Sequence, residues 1–357
     1  MLCYLYTFLL LFTSIQRQLS IRISTFHPIH IHFLMSKLVK KLASHNGSFH
    51  CDDALAISLL RMLPEYAESQ LIRTRDPELL DKCDVVVDVG SIYDPQNCRF
   101  DHHQRGFNTF FSDKHHVTKL SASGLIYRHF GKRILTEKFA VKPEHLDIVY
   151  VAVYDSFLEA IDAIDNGVEI CDGKLKYRDN TGLSSRVALL NPTWLDENPN
   201  YDEQFEKAVT LTGNEFVSAV NRVYNIWFPA REIVLNAYNN RLNVHKSGKV
   251  IELSRHCPYY EHLYAIEESN RDSSNNNIIY FVIFKTLKQW RCTCMRNKDS
   301  SFICRLPFPE HLRGLRGEEL VNKSEIENLE FVHHSGFTCG GSTMESIIQL
   351  IDMTLAN

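Results

Sequence analysis

The chain has 357 residues, of which 44% are apolar and 23% charged, with a formal net charge of −4. That length is enough to bury two cores, and the composition excludes a disordered or low-complexity chain. The charge balance excludes a global basic field, so any attraction for nucleic acid or an anionic membrane must come from a local patch.

Residues 1–51 carry no Asp or Glu, but they hold Arg17, Arg22, Lys37, Lys40 and Lys41. The uncharged run 1–16 falls short of the roughly 20 residues that a membrane span needs, so no stable membrane insertion is expected. Two readings stand side by side. Either residues 1–35 form an acid-free organellar transit peptide, mitochondrial in type, or translation starts at Met35, residues 1–34 add nothing to the fold, and the protein is cytoplasmic.

The first predicted strand is Leu38–Ala43, followed by the loop His45-Asn46-Gly47-Ser48-Phe49-His50-Cys51 and a helix opening at Asp52. Asp52 is either a helix cap, favoured there by the dipole, or a ligand grouped with His45 and His50. A second strand precedes Arg73-Thr74-Arg75-Asp76. The β-branched run Asp84–Val89 reads as a buried parallel strand. Asp88 closes it, and a buried carboxylate there needs either a metal or a salt bridge to Arg73 or Arg75. Next comes Phe100-Asp101-His102-His103-Gln104-Arg105-Gly106, an oxygen ligand and two imidazoles with a guanidinium just behind them. That is metal-site chemistry beside an anion binder. The neighbouring His115-His116 pair reads as loop decoration. Strand, loop and helix with ligands on the loop is how open α/β sheets place their sites, at the carboxyl ends of the strands.

Helices are expected over Leu120–Phe130 and Val141–Ile164, the second ending in Asp162-Ala163-Ile164-Asp165-Asn166-Gly167. Asp162 and Asp165 lie one turn apart and share a face. Arg186, on the loop and helix start within Tyr177–Trp194, either reaches a substrate phosphate or forms a surface salt bridge. Tyr201–Ala237 reads as one or two amphipathic helices broken near Pro229.

From residue 249 strands are expected at Val250–Leu253, Leu263–Ile266, Ile278–Lys285 and Gln289–Met295, with a turn or loop over 273–277. Segment 285–316 holds eight Lys and Arg against two acids, with Trp290, Phe302 and Phe308 interleaved. It either tracks a nucleic-acid strand or is a solvated strand face with its core aromatics. The ten cysteines follow no disulfide framework, which suggests reduced thiols inside a cell. Cys292-Thr293-Cys294 lacks the four ligands that structural zinc usually takes. Phe331–Ser342 reads as a strand and a Gly340-Gly341 turn before an apolar helix, a place where a helix start can cradle an anion.

In this order the motifs resemble the DHH phosphoesterase superfamily and, within it, the melanocyte-proliferating-gene (MYG) family. The residues that carry the likeness are His45 to Ala56, Asp101-His102-His103 and Asp162 to Gly167, and it runs from about residue 37 to the C-terminus. The resemblance implies an α/β fold: a DHH-type domain (36–200) with a mainly parallel sheet flanked by helices, a helical connector (201–240), and a smaller α/β C-terminal domain (241–357) that binds substrate. The implied activity is 3′-to-5′ RNA exonuclease, in mitochondria and nucleus, acting on a single-stranded 3′ end through a two-metal-activated hydroxide. Carried over residue by residue, the metal ligands are His45, His50, Asp52, Asp88, Asp101 and His102, with Asp88 bridging. The last ligand is Asp162, with Asp165 next and Asp155 third. His103 contacts the scissile phosphate or acts as general acid, so Asp88, Asp101 and His103 form the catalytic set. Arg105, Arg186, His333, His334, Gly340 and Gly341 are the substrate-side residues. His50 stands where the wider superfamily has a carboxylate. An imidazole there makes the site less anionic and favours Mn²⁺, two ions, over Mg²⁺. Two rivals remain: hydrolysis of a small nucleotide or pyrophosphate, and a binding protein without catalysis. A peptide hydrolase fits less well, since no H-E-x-x-H helix is present.

Overall fold

The computed structural model describes residues 39–270, 277–298, 300 and 302–356. The readings of residues 1–38, and most of the loop expected over 273–277, lie outside the described residues.

The architecture is α/β, built on two five-stranded sheets. The first contains β1 (Lys41–Ser44), β2 (Gln70–Arg73), β3 (Val85–Val87), β4 (Tyr93–Asp94) and β5 (Arg99–Phe100), in the order β2-β1-β3-β5-β4. All its pairings are parallel except that of β4 with β5. β1 and β3 are apolar because both faces of the sheet are covered, as a parallel sheet requires. Leu42, Val85 and Val87 enter the large core. Ala43 and Val86 face a smaller cluster with Leu80 and Cys83.

On the large-core face lie α1 (Cys51–Arg61), α2 (Ala122–Glu137), α3 (Pro143–Val153), α4 (Glu159–Asp165), α5 (Leu183–Ala188) and α6 (Tyr201–Asn221). Residues Cys51 to Leu60 of α1 are all buried, the mark of a helix surrounded by others. The helical stretch expected over 141–164 begins at Pro143, where a missing N–H costs nothing. It runs through a widened π turn at Tyr154–Leu158 into α4.

The expected break near Pro229 is not found. α6 continues through a π turn at Arg222–Trp227 into α7 (Phe228–Asn239), with Pro229 in the first turn of that segment. Phe205 and Phe216 of α6 belong to the first core, whereas Val234 and Ala237 of α7 pack against the second sheet.

The second sheet holds β6 (Val250–Leu253), β7 (Phe281–Lys285), β8 (Trp290–Cys294), β9 (Leu329–Val332) and β10 (Thr338–Gly341), in the order β6-β7-β8-β10-β9. Only β6 and β7 run parallel. Along β7, Phe281 and Ile283 face one cluster while Val282 and Phe284 face the other, the period-two alternation of a strand buried on both sides. Helices α8 (Tyr260–Ser269), α9 (Gly317–Ser324) and α10 (Met344–Ala356) flank it.

Two expectations are corrected here. Leu263–Ile266 is part of α8, not a strand: Leu263 and Ile266 are the buried face of a helix three residues apart, and a four-residue apolar run cannot separate the two periods. Gly340-Gly341 is not a turn but the end of β10, and the reversal from β9 lies around Gly336, at φ +71. A Cβ at Gly340 would strike the Phe331 ring, and one at Gly341 would lie 2.9 Å from the Asn328 carbonyl. These glycines therefore serve close strand packing. Among the described residues no cysteine is in a disulfide, and no helix is long and apolar enough to cross a membrane.

Candidate metal centre

The strand register assembles the site. β1 pairs with β3 at Ala43 and Val86, and β3 with β5 at Val87 and Phe100. Continuing that register one or two places brings His45, Asp88 and Asp101 side by side, just beyond the carboxyl ends of three adjacent strands. Neighbouring strands lie about 4.8 Å apart, close enough for these side chains to share an ion.

All three are buried. Asp88 stands at φ +57, a left-handed conformation uncommon for a side-chain residue. It turns its carboxylate to His102 Nε2 at 3.2 Å and His103 Nδ1 at 3.5 Å through Oδ1, and to His45 Nε2 at 3.4 Å through Oδ2. The alternative bridge to Arg73 is not formed. Arg73 donates to the Gly47 carbonyl at 2.8 Å, pairs with Asp202 at 3.1 Å and covers the Phe205 ring, so it braces the ligand loop. Asp101 accepts from the Ser91 N–H at 2.6 Å through Oδ2, and from the backbone N–H and Nδ1 of His103 at 3.0 and 2.8 Å through Oδ1.

The loop before α1 supplies the rest. The capping role considered for Asp52 falls to its neighbour. Asp53 Oδ1 accepts from the N–H of His50 at 3.0 Å, the reach-back of a capping box. Asp53 Oδ2 lies 3.3 Å from His45 Nε2, the nitrogen that also faces Asp88, while His45 Nδ1 meets the Asn46 carbonyl at 3.2 Å. Asp53 was not singled out from the sequence, although its place three residues after His50 was the signal for it. Asp52, relieved of capping, is 1% exposed. Its Oδ2 accepts from the Ala122 N–H at 3.3 Å, and its Oδ1 is buried without a hydrogen-bond partner.

Of the two acids on α4, Asp165 reaches the cluster, with Oδ2 3.2 Å from His102 Nε2. Asp162 does not. Its Oδ1 accepts from the N–H and Oγ of Ser121 at 3.1 and 2.7 Å, its Oδ2 accepts from the Tyr154 hydroxyl at 2.9 Å, and Gly124 packs directly against the carboxylate. Asp162 thus ties the start of α2 to α4. It belongs to none of the ligand groupings below.

Three overlapping sets each bring their ligand atoms within 4.8 Å of one another: Asp88, Asp101, His102 and His103; His45, His50 and Asp88; and His50, Asp52 and Asp165. Asp88 is common to the first two and His50 to the last two. A further set, His115, Asp155 and Glu159, lies apart from them in composition. His115 bonds Asp155 at 2.7 Å and Ser112 at 2.7 Å, so it is a structured side chain rather than decoration.

The electrostatics show an excess of buried negative charge. Burial, then the Asp88 carboxylate, raises Asp52, and burial, then Asp52 and Asp88, pushes Asp165 up to about 10. Asp53 is held well above the usual carboxylate range by burial and by Asp52. Burial also acts on Asp88, but its bonds to His102 and His45 outweigh it and lower the group to about 2. The bond to Asp101 lifts His103 to about 9. A cluster that must hold protons to remain buried, and that leaves Asp52 Oδ1 unpartnered, has the donor set and charge for divalent cations.

The expected substrate-side residues are spread out. Arg105 is exposed on the loop after His103. Arg186 pairs with Glu215 at 2.8 Å, the surface-bridge alternative. His333 contacts Ser335 at 3.0 Å and lies with its ring tilted 41° to that of His334 at 4.1 Å, beside β9. The basic segment also divides. Arg305 is bound to Glu267 at 2.7 Å, Lys298 to Glu268 at 3.2 Å, and Phe308 is in the core. Arg291 and Arg316 instead flank the Phe331 ring at 4.6 and 5.6 Å, and Phe302 is 94% exposed.

A family model described as an uncharacterised protein family (UPF0160), MYG1_exonuc, matches residues 41–355. A mouse protein named MYG1 exonuclease is 43% identical over 325 residues, covering 88% of this chain and 85% of that one. The human MYG1 exonuclease is 42% identical, with 88% and 86% covered. A MYG1 protein of Saccharomyces cerevisiae is 39% identical over 337 residues, with 90% and 98% covered.

Proposed function

This chain belongs to the MYG1_exonuc family (UPF0160), and from that premise we propose that it is a metal-dependent phosphodiesterase of DHH type that removes nucleotides from the 3′ end of RNA. The names of the mammalian relatives support an exonuclease. The observation that carries the metal dependence is the buried cluster at the ends of β1, β3 and β5, with Asp88 shared between two ligand sets and Asp52 Oδ1 unpartnered.

In this reading His45, His50, Asp52, Asp88, Asp101, His102 and Asp165 hold two divalent ions, and the imidazoles favour Mn²⁺ over the harder Mg²⁺. When bound, the ions supply the positive charge that acidifies an attacking water and neutralises the phosphoryl oxygens. The protein's own part is positional. His45 turns Nε2 to the cluster and Nδ1 to the Asn46 carbonyl at 3.2 Å, and such orienting partners commonly set ligand affinity. Asp101 holds His103 at Nδ1, and the His103 side chain is 60% exposed. Its Nε2 is therefore free to give a proton to the departing sugar oxygen, the role of a general acid. Arg105, exposed two residues further on, would supply the guanidinium for a substrate phosphate.

The test is hydrolysis of RNA, DNA and small nucleotides, labelled at either end, with Mn²⁺ or Mg²⁺. Stepwise loss from the 3′ end of RNA is expected, and Asp101→Asn should lower the rate by about 10²–10³-fold or more. A mutant that matches wild type on every substrate would remove the site assignment. Preference for small nucleotides would replace the polymer reading.

A further inference from the structure

The ligand cluster opens on one side into a cavity of about 400 Å³ that shares His50, Asp52 and Asp165 with it. Its other wall comes from two helices: Ile161 and Ile164 of α4, and Ser184, Ser185 and Ala188 of α5. The cavity size lies within the range of small-molecule sites, and its lining joins an apolar wall to the polar groups His50, Asp52, Asp165, Ser184 and Ser185. The Ser185 hydroxyl, half-buried, has no hydrogen-bond partner among the described residues. Ile164 leaves 60% of its surface open. Asp52, whose Oδ1 is buried and unpartnered, lies on the boundary between cluster and cavity.

We propose that this cavity seats the ribonucleoside of the nucleotide being released, with the base against Ile161 and Ile164 and the sugar hydroxyls on Ser184 and Ser185. The inference rests on the reading of the cluster as the seat of the scissile phosphate. A phosphate held there has its own nucleoside one sugar away, and this cavity adjoins three residues of the cluster. An apolar wall accepts any base, so it gives no sequence preference. A serine hydroxyl both donates and accepts, as a ribose 2′-hydroxyl does. The cavity would thus tell RNA from DNA while remaining indifferent to the base.

Equilibrium binding of adenosine 5′-monophosphate, its 2′-deoxy form and inorganic phosphate, each with Mn²⁺, tests this. Wild type should bind the ribonucleotide about tenfold or more tighter than phosphate, and the deoxynucleotide between the two. Ile164→Trp, filling the cavity, should bring the ribonucleotide close to phosphate and leave phosphate itself unchanged. Ala188→Trp, at an exposed position on the opposite wall, should do the same without burdening the core. Ser185→Ala should narrow the gap between ribo and deoxy forms. Equal binding of ribonucleotide and phosphate by wild type overturns the proposal, as does an unchanged ratio in both tryptophan variants. If RNA is still degraded in that case, only the nucleoside seat falls. If no nucleic acid is degraded at all, the reading of the cluster falls with it.

Discussion

Asp162 and Asp165 are one helical turn apart, yet they do different work. Three protein donors satisfy Asp162, and burial raises it to about 7. Asp165 faces His102 and is crowded by Asp52 and Asp88. Asp162→Ala should therefore strip the partners from Ser121 and Tyr154 and destabilise the fold by ~1–3 kcal/mol, while Mn²⁺ binding survives. Asp165→Ala should weaken Mn²⁺ binding with little loss of stability. Denaturation and metal titration of both variants decide the matter, and the reverse pattern would exchange the two roles. The sequence brought both acids into view because they share a helix face. It could not choose between them, since the choice depends on which donors the packing of α2 and α4 brings to each. A second residue-scale case is Cys304, lowered to about 7 by its bond with Cys294, helped by Arg296 and Arg313. Its thiolate fraction rises with pH through that value, so iodoacetamide labelling of Cys304 should pass half-maximum near pH 7 in peptide mapping. Cys51, which burial pushes up to about 12, should stay unlabelled there. An inflection for Cys304 above pH 8.5, the usual thiol value, would contradict this.

At the scale of elements, the site depends on two junctions. One is the shared end of β1, β3 and β5, where a parallel register places three ligands in a row. The other is the contact of α2 with α4, where Gly124 admits the Asp162 carboxylate. An alanine at 124 favours helix by about 1 kcal/mol, but its Cβ would overlap a carboxylate fixed by three hydrogen bonds. Gly124→Ala should thus be destabilising by ~1–3 kcal/mol. Adding Asp162→Ala should make the two losses less than additive, because the second change removes the obstacle. Chemical denaturation of the cycle measures this, and strict additivity would count against the contact. Strands β6 to β8 were legible from their β-branched and aromatic runs, and α1 from its apolar run between Ala54 and Met62 and the Pro64 beyond it. Helix α8 was missed because four apolar residues carry no period. The Gly340-Gly341 pair was misplaced because glycine marks close approach as readily as a turn.

For the whole molecule, the buried acids Asp52, Asp53, Asp88 and Asp101, with the partly buried Asp165 beside them, form a charge problem that bound cations would resolve. Chelator treatment should lower the melting temperature, and Mn²⁺ should restore it, adding roughly 3 kcal/mol of stability at roughly a hundredfold excess over its dissociation constant. A melting curve indifferent to both would mean that protons alone balance the cluster. By itself the sequence determined the α/β class and the placing of His45, Asp88 and Asp101 just beyond strand ends, because residue type and strand-end position are local properties that a short window contains. Only the tertiary structure decided the rest: Asp165 rather than Asp162 at the cluster, Arg186 in a surface bridge, and a cavity between α4 and α5 beside the cluster. Each of these turns on which elements pack together, and helix packing, not local pattern, sets those meetings.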